Sequence, residues 1–418
     1  MNKQILLIQP GVETLKFFSE RLAEQFLALG YETHLICIHE PFPSLDKLCK
    51  LLEKKDTVLV TFNFHALQKE AIFYTSFGES VWDLFSVFCI NIIVDHPFYY
   101  YEELMTLPKR YLQICIDEDH ADYMRRFYPT IELGSTMPLA GCRYREDFPF
   151  QKKNAELPDI SAIPPLCNSD ASRLFPLPAI KDRTRDVIFC GCLTDPDFFL
   201  PYMNRNGEEY RVFYQGILDE LLEHPDSCIH TVYLKHLNRE LPDLNDADLK
   251  NVMNKMIFLD LWIRFTFRGK AIRSLVDAGI PVHCIGAGWE TLRCKNKNLL
   301  TQSGYSDTAV CLRAMTTAKL SLNVMPWFKR GAHDRIYSSM QNGAVCVTDT
   351  SEYLTAHFRE GELLTYYRLS EIERLPQIVD SLLSNPDKMQ EIADRAAAYS
   401  FRNLSWDNYA KQLTQYFG

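Results

Sequence analysis

Lys329, Arg330, His333 and Arg335 crowd together where an apolar run, Lys319–Val324, gives way to an irregular loop and then to a short helical pattern from about His333 to Gln341. Free N–H groups at a helix start, with cationic side chains beside them, attract an anion, a phosphate above all. An ordinary crossover with solvated charges fits the same spacing. A second constellation, Asp95-His96-Pro97, ends another apolar run and precedes Phe98-Tyr99-Tyr100-Tyr101 and Glu102-Glu103. A carboxylate or an imidazole there is placed to take a proton from a hydroxyl, and the tyrosines offer flat faces to a sugar ring. A cap of the next helix with packed aromatics is the plainer alternative. His65, ending Thr61-Phe-Asn-Phe-His65, is a further base candidate with an equally ready structural role. Asp195-Pro-Asp197 has the D-x-D spacing that can hold a divalent cation against a diphosphate, but Asp-Pro favours a turn. Asp246-Ala-Asp248 and Asp117-Glu-Asp119 read as acids at helix starts. G-x-S-x-G, H-E-x-x-H, Walker A and kinase signatures do not occur.

The 418 residues suggest two domains. Hydrophobic residues make up 47% and charged residues 24%, which excludes a disordered or collagen-like chain. With 45 basic and 54 acidic residues the net charge is −9, the wrong sign for a default grip on nucleic acid or an anionic membrane. The longest nearly apolar stretch, Leu84–Val94, is far shorter than the ~20 residues of a membrane span. The start, MNKQILLIQPGVETLKFF, reads as a strand and an amphipathic helix without the features of a secretory leader. Thirteen cysteines include no C-x-x-C, and the close pair Cys190/Cys192 reads as buried thiols on one strand face. The expectation is a soluble, reduced, cytoplasmic chain without structural zinc.

Apolar runs at Ile5–Ile8, Thr33–Ile38, Thr57–Phe62, Cys89–Val94, Tyr111–Ile116 and Thr130–Leu133 alternate with helical spacing such as Leu15, Phe18, Leu22, Phe26 and Leu29. Runs that are apolar throughout predict a parallel sheet covered on both faces. The turn Gln9-Pro10-Gly11 holds a single glycine and is not a dinucleotide fingerprint. Residues 146–184 lose all periodicity and carry Pro149, Pro158, Pro164, Pro165, Pro176 and Pro178, as an interdomain connection does. The pattern restarts at Asp186–Gly191. It continues through helical stretches near 207–223 and 246–278, apolar runs Pro281–Ile285, Lys319–Val324, Ala344–Thr348 and Glu362–Tyr366, and closing helices Leu375–Leu383, Asp387–Tyr399 and Trp406–Phe417. The predicted architecture is α/β: two Rossmann-like, doubly wound domains, 1–145 and 185–400, facing a cleft, with 401–418 returning to the first. Ligands of such sheets bind outside the carboxyl ends of the strands.

Three segments together resemble the GT-B glycosyltransferases, and most of all their spore-maturation (CgeB-like) branch. They are Ile188-Phe-Cys-Gly191, the helix–strand unit from Arg273 through Gly286-Ala-Gly288-Trp289, and Leu320–Asp349 with its x-x-Gly-x-x-Val strand at Gly343. The tail from Ser384-Asn-Pro-Asp387 to Ser405-Trp406 is similar to that family's closing helices. The resemblance implies a nucleotide-diphosphate sugar donor, UDP-linked, held by the second domain, and a protein or glycan acceptor on the first. It implies donor contacts from Gly191, Trp289, Gly304, Tyr305, Lys329, His333, Asp334 and Arg335, and a catalytic base at Asp95 or His96. No metal and no cofactor beyond the donor are implied, because helix N-termini and basic side chains neutralise the leaving diphosphate. One departure stands out: Ser338 occupies the position where many relatives place a glutamate on the ribose hydroxyls. That favours, as alternatives, a catalytically silent sugar-nucleotide or glycan binder of envelope or spore assembly; a GT-B-fold epimerase is a further one.

Overall fold

The computed structural model describes residues 3–37, 45–68, 71–146 and 176–418. Residues 147–175, most of the expected connection, and Ile38 lie outside them. Within the described residues, 3–138 with 405–418 form one compact unit, and 139–146 with 176–404 form the other.

The first unit is built on five parallel strands: β1 (Lys3–Gln9), β2 (Glu32–Cys37), β3 (Asp56–Phe62), β4 (Phe88–Ile93) and β5 (Tyr111–Cys115). They lie in the order β2-β1-β3-β4-β5, so the winding reverses between β1 and β3. Ile5–Ile8 in β1, Val58–Val60 in β3 and Ile90, Ile92 and Ile93 in β4 are all but fully buried, which is why the sequence shows continuous runs rather than alternation. Thr130–Leu133, expected as another strand, makes only a bridge between Leu133 and Gln113. Pro129 and a tight turn, in which Ile131 N–H donates to Tyr128 O at 3.0 Å, stop the run from extending.

Residues 405–418 complete this unit. Helix Trp406–Thr414 lays Trp406 against Phe18, ring centroids 5.2 Å apart, and Phe417 meets Phe26 at 5.6 Å. Each buried aromatic contributes roughly 1.5–3 kcal/mol. The Lys3 ammonium donates to the Gly418 carbonyl at 2.8 Å, and Ser135 N–H to the Tyr416 hydroxyl at 2.7 Å.

Helix Glu13–Ala28 carries a buried carboxyl. Glu20 is 2% exposed and accepts from Gln9 Nε2 at 2.7 Å. Burial, only partly offset by Arg21, pushes its pKa up to about 7. A folded-state pKa above the unfolded one means that stability is fully present below about pH 4.5 and is lost as the pH rises through 7. Glu20→Gln should therefore change little at pH 5 and stabilise at pH 8 by on the order of 3 kcal/mol, since the shift from 4.5 to about 7 is worth about 1.4 kcal/mol per pKa unit. Urea unfolding at the two pH values checks this; an equal effect at both would contradict it.

The second unit has six parallel strands: β6 (Arg185–Cys190), β7 (Val282–Ile285), β8 (Leu300–Gln302), β9 (Ala318–Asn323), β10 (Val345–Asp349) and β11 (Thr365–Tyr367). Their order, β11-β10-β9-β6-β7-β8, puts the reversal between β6 and β9. β8 is short and lies exposed at the sheet edge, so it left no apolar run. β11 begins later than the Glu362–Tyr366 run because Gly361 N–H donates to Leu364 O at 2.9 Å and folds the preceding residues into a turn. The stretch expected as one helix over 246–278 divides at Met256 into Asp246–Lys255 and Ile257–Asp277. Helix Ile229–Glu240, absent from the sequence reading, buries Ile229, Val232, Tyr233, His236 and Leu237 on one face. No helix among the described residues is long and apolar enough to cross a membrane.

Candidate functional site

The reversal point of the second unit gathers two arginines. Arg335 stands in the first turn of helix Asp334–Gln341, just beyond the loop after β9. It donates through Nη1 to the carbonyl of Cys190, the last residue of β6, and its guanidinium lies 5.5 Å from the Phe189 ring centroid. Arg268 reaches the same place from helix Ile257–Asp277 and donates to Cys192 O at 3.1 Å. Burial, then the charges of Arg335 and Arg264, hold its pKa well below that of a free guanidinium. Neither arginine is paired with a carboxylate among the described residues. Two guanidiniums that form no ion pair among the described residues, at the carboxyl end of β6, offer donors suited to an anion.

The backbone allows this convergence. A Cβ on Gly191 would lie 2.9 Å from Arg335 Nη1, and one on Gly288 (φ +90°) would lie 1.8 Å from Leu193 O. Only glycine lets the loops after β6 and β7 meet, with Gly191 N–H donating to Ile285 O and Leu193 N–H to Ala287 O. Trp289 is the keystone of that meeting and not a nucleobase platform. It is fully buried, packs on Phe189 at 5.3 Å and donates Nε1–H to Gly191 O at 2.8 Å. Cys190 is buried, but Cys192 lies beyond the strand and is exposed, so the two thiols do not share an environment. Gly304 (φ +65°) bridges to Gly286, and the next residue, Tyr305, is 69% exposed.

Lys329 does not face outward. Lys329 is 5% exposed, and its ammonium lies 3.5 Å from Asp349 and 3.5 Å from Asp226. Asp349 also accepts from Met325 N–H at 2.8 Å, so the pair pins the loop and leaves no free cation for a phosphate. Within that loop Trp327 adopts φ +77°, an outlier for a bulky residue, and its indole N–H is buried without a partner. His333 occupies the N-cap position; its Nδ1 lies 2.7 Å from Asp334 Oδ1 and 3.3 Å from Arg335 Nε. The shorter contact assigns the Nδ1 proton to the Asp334 carboxylate. Burial, then Arg335, lowers the His333 pKa; burial alone would raise Asp334, but His333 and Arg335 hold it below the usual carboxylate range. Asp334 is thus committed to His333. Ser338 is 6% exposed and its hydroxyl accepts from Cys142 N–H at 3.2 Å.

In the first unit the strand-end candidates separate. Asp95 is half-buried beyond β4, accepting from Asn63 Nδ2 at 3.1 Å and Tyr100 OH at 3.2 Å. His96 is 4% exposed; its Nδ1 accepts from Phe98 N–H at 3.2 Å, and its ring packs on Phe98 and Tyr123. It is a buried cap, not a displayed base. The loop after β3 holds Asn63, Phe64 and Ala66 at φ 47°, 63° and 67°. Non-glycine residues in that region cost about 1–3 kcal/mol each and persist only where neighbours dictate them. Here Asn63 Oδ1 accepts from Val94 N–H, Phe64 N–H donates to Asn91, and Ala66 O accepts from Trp82. His65, half-buried, rides on this loop. The D-x-D motifs resolve as caps: Asp195 accepts from Asp197 N–H, Asp117 from Asp119 N–H, and Asn245 caps the helix that Asp246 begins. Sequence reasoning missed Arg268 and Asn63. Phe265-Thr-Phe-Arg268 read as ordinary helix, and Asn63 became visible only with Asp95 beside it.

Two parallel-sheet α/β units with a chain end returning to the first define the GT-B glycosyltransferase fold. Sucrose-phosphate synthase from Thermosynechococcus elongatus has it, superposing over 99% of this chain and 98% of its own at 10% identity and a TM-score of 0.50. HepE from Anabaena, solved in complex with UDP-glucose, superposes over 99% of both chains at 11% identity and a TM-score of 0.51. Residues 268–415 match the family model described as glycosyl transferase-like, a span that begins at Arg268 and includes the loop carrying Lys329–Arg335. No curated protein sequence matches the chain.

Proposed function

We propose that this protein is a cytoplasmic, metal-independent glycosyltransferase of the hexosyl type, akin to the spore-maturation branch. It would move a sugar from a UDP-linked donor to a hydroxyl of a protein or glycan acceptor. The carrying observation is the pair of guanidiniums without carboxylate partners, Arg268 and Arg335, at the β6/β9 reversal. In this reading the second unit binds the donor, with Tyr305 and the Gly304 backbone toward the base, and the first unit binds the acceptor. The sugar C1–O bond to the diphosphate breaks while a C1–O bond to the acceptor forms. Asp95 takes the acceptor proton, and the leaving diphosphate's charge falls on Arg335, Arg268 and the helix N–H groups. The UDP-glucose in the HepE structure supports the choice of donor nucleotide.

Incubation with a panel of UDP- and GDP-sugars, monitoring nucleotide release, tests the reading; no turnover and no binding of any of them would end it. The same assay carries a prediction. With arginines neutralising the diphosphate and Asp195 occupied as a cap, turnover should be unchanged by EDTA. Loss on chelation, restored by manganese, would transfer the diphosphate to an acid–metal site. Ser338, turned to Cys142, favours one second reading, a binder that holds the nucleotide sugar without turnover; binding without nucleotide release would establish it.

A further inference from the structure

Beside Arg268, whose guanidinium lies 5.4 Å from the Phe265 ring centroid, the second unit holds a pocket of about 290 Å³ between helix Ile257–Asp277 and the segments 193–197 and 291–293. Nothing in the transfer reaction described above uses it. Trp262 and Phe265 give it aromatic walls, Phe265 being braced by Phe199 stacked 6.1 Å away. Trp262 and Thr266 each carry a polar atom, the indole N–H and the hydroxyl, that is buried with no hydrogen-bond partner. Thr266 does not even turn back onto a helix carbonyl, the usual refuge of such a hydroxyl. Buried polar groups are rarely left unsatisfied unless something outside the chain completes them.

The pocket is also short of negative charge on one side. Lys270, Arg273 and Arg293 line it, and none is paired with a carboxylate among the described residues. Arg273 spends its Nε on the Arg293 carbonyl at 2.7 Å. Partial burial, and after it the charge of Arg273, lowers the pKa of Lys270. Asp195 and Asp197, the acids of the sequence motif that proved to be a turn, line the pocket as well. Flat apolar faces suit the C–H face of a sugar, carboxylates and free donors suit its hydroxyls, and an excess of cations suits a charged substituent. The volume lies at the lower edge of small-molecule sites, room for one ring and not for a nucleoside diphosphate.

We infer that this pocket is a second saccharide site, separate from the donor site, which binds an anionic monosaccharide unit, a uronate or a sugar phosphate. The full chain should bind glucuronic acid or glucose 6-phosphate in calorimetric titration, and bind glucose much more weakly. Comparison of the two anions tells which charged group the cations hold. Lys270→Ala with Arg293→Ala, both exposed positions, should weaken that binding roughly 10- to 100-fold, the scale of lost charge-assisted hydrogen bonds. UDP affinity should be unchanged in the same variant. Thr266→Val, which removes a donor without altering charge, should weaken anion and neutral sugar alike. Absence of binding by both anions, binding that survives the double substitution, or displacement by UDP would each overturn the inference; none of these touches the proposed transfer reaction, which the nucleotide-release assay judges alone.

Discussion

Asp95→Asn should lower turnover by roughly 10² or more, the scale of a lost general base, while calorimetric UDP affinity stays at the wild-type value. Asparagine keeps the size of the side chain and an oxygen for Asn63 Nδ2 and Tyr100 OH to reach, so the strand end should hold its shape. What is lost is the carboxylate proposed to take the acceptor's proton. His96→Ala supplies the contrast. Its ring is buried and its Nδ1 serves Phe98 N–H, so its removal should cost on the order of 1 kcal/mol of stability, as lost caps do, and leave the rate of the folded enzyme near normal. Full turnover in Asp95→Asn would remove Asp95 as the base. A large rate loss in His96→Ala alone would reverse the two assignments.

Arg335→Ala should weaken UDP binding by ~1.5–3 kcal/mol, the range for a hydrogen bond to a charged group, which is roughly 10- to 150-fold. A cation in the first turn of a helix opposes the macrodipole, so without ligand its loss is offset. The variant gives up the bond to the Cys190 carbonyl, the contact with His333 Nδ1 and the seat against the Phe189 ring, and with that offset its melting temperature should fall only slightly. Lysine restores the charge but not the planar fork, so Arg335→Lys should fall between the two. Arg268→Ala should show a loss of similar size, and the double variant should lose more than either. Because the two guanidiniums repel when the site is empty, a single substitution also relieves strain, so the losses should not simply add. Wild-type affinity in folded Arg335→Ala and Arg268→Ala proteins would dissolve the assigned diphosphate site.

How much of this was legible from residues alone follows from what each signal encodes. β1, β3 and β4 announced themselves because a strand buried on both faces leaves an unbroken apolar run. β8, three residues on an exposed edge, left none. Arg335 could be placed because strand, loop and helix are contiguous, so local order fixes its position. Arg268 could not, since its partner carbonyl at Cys192 lies far back along the chain. Lys329 and Trp289 show the opposite failure: their types suit phosphate and base, but burial decides, and burial depends on Asp349 and Phe189 across the sheet. Asp95 and His96 are neighbours of equal promise in sequence. A single turn of backbone sends one to the strand end and the other under Phe98 and Tyr123.

The seat that Trp406 and Phe417 take against Phe18 and Phe26 has a consequence for synthesis of the chain. Ribosomes deliver residues 405–418 only after the whole second unit has been made. Until then the early helix Glu13–Ala28 waits with Phe18 and Phe26 uncovered, as aggregation-prone surfaces do. The unit begun earlier is therefore the later one to be finished, and a nascent chain stalled short of residue 405 would hold the six strands of the second sheet while the first unit still lacked helix Trp406–Thr414. A chaperone that recognises exposed aromatics should meet this protein at helix Glu13–Ala28 and release it only once helix Trp406–Thr414 has docked.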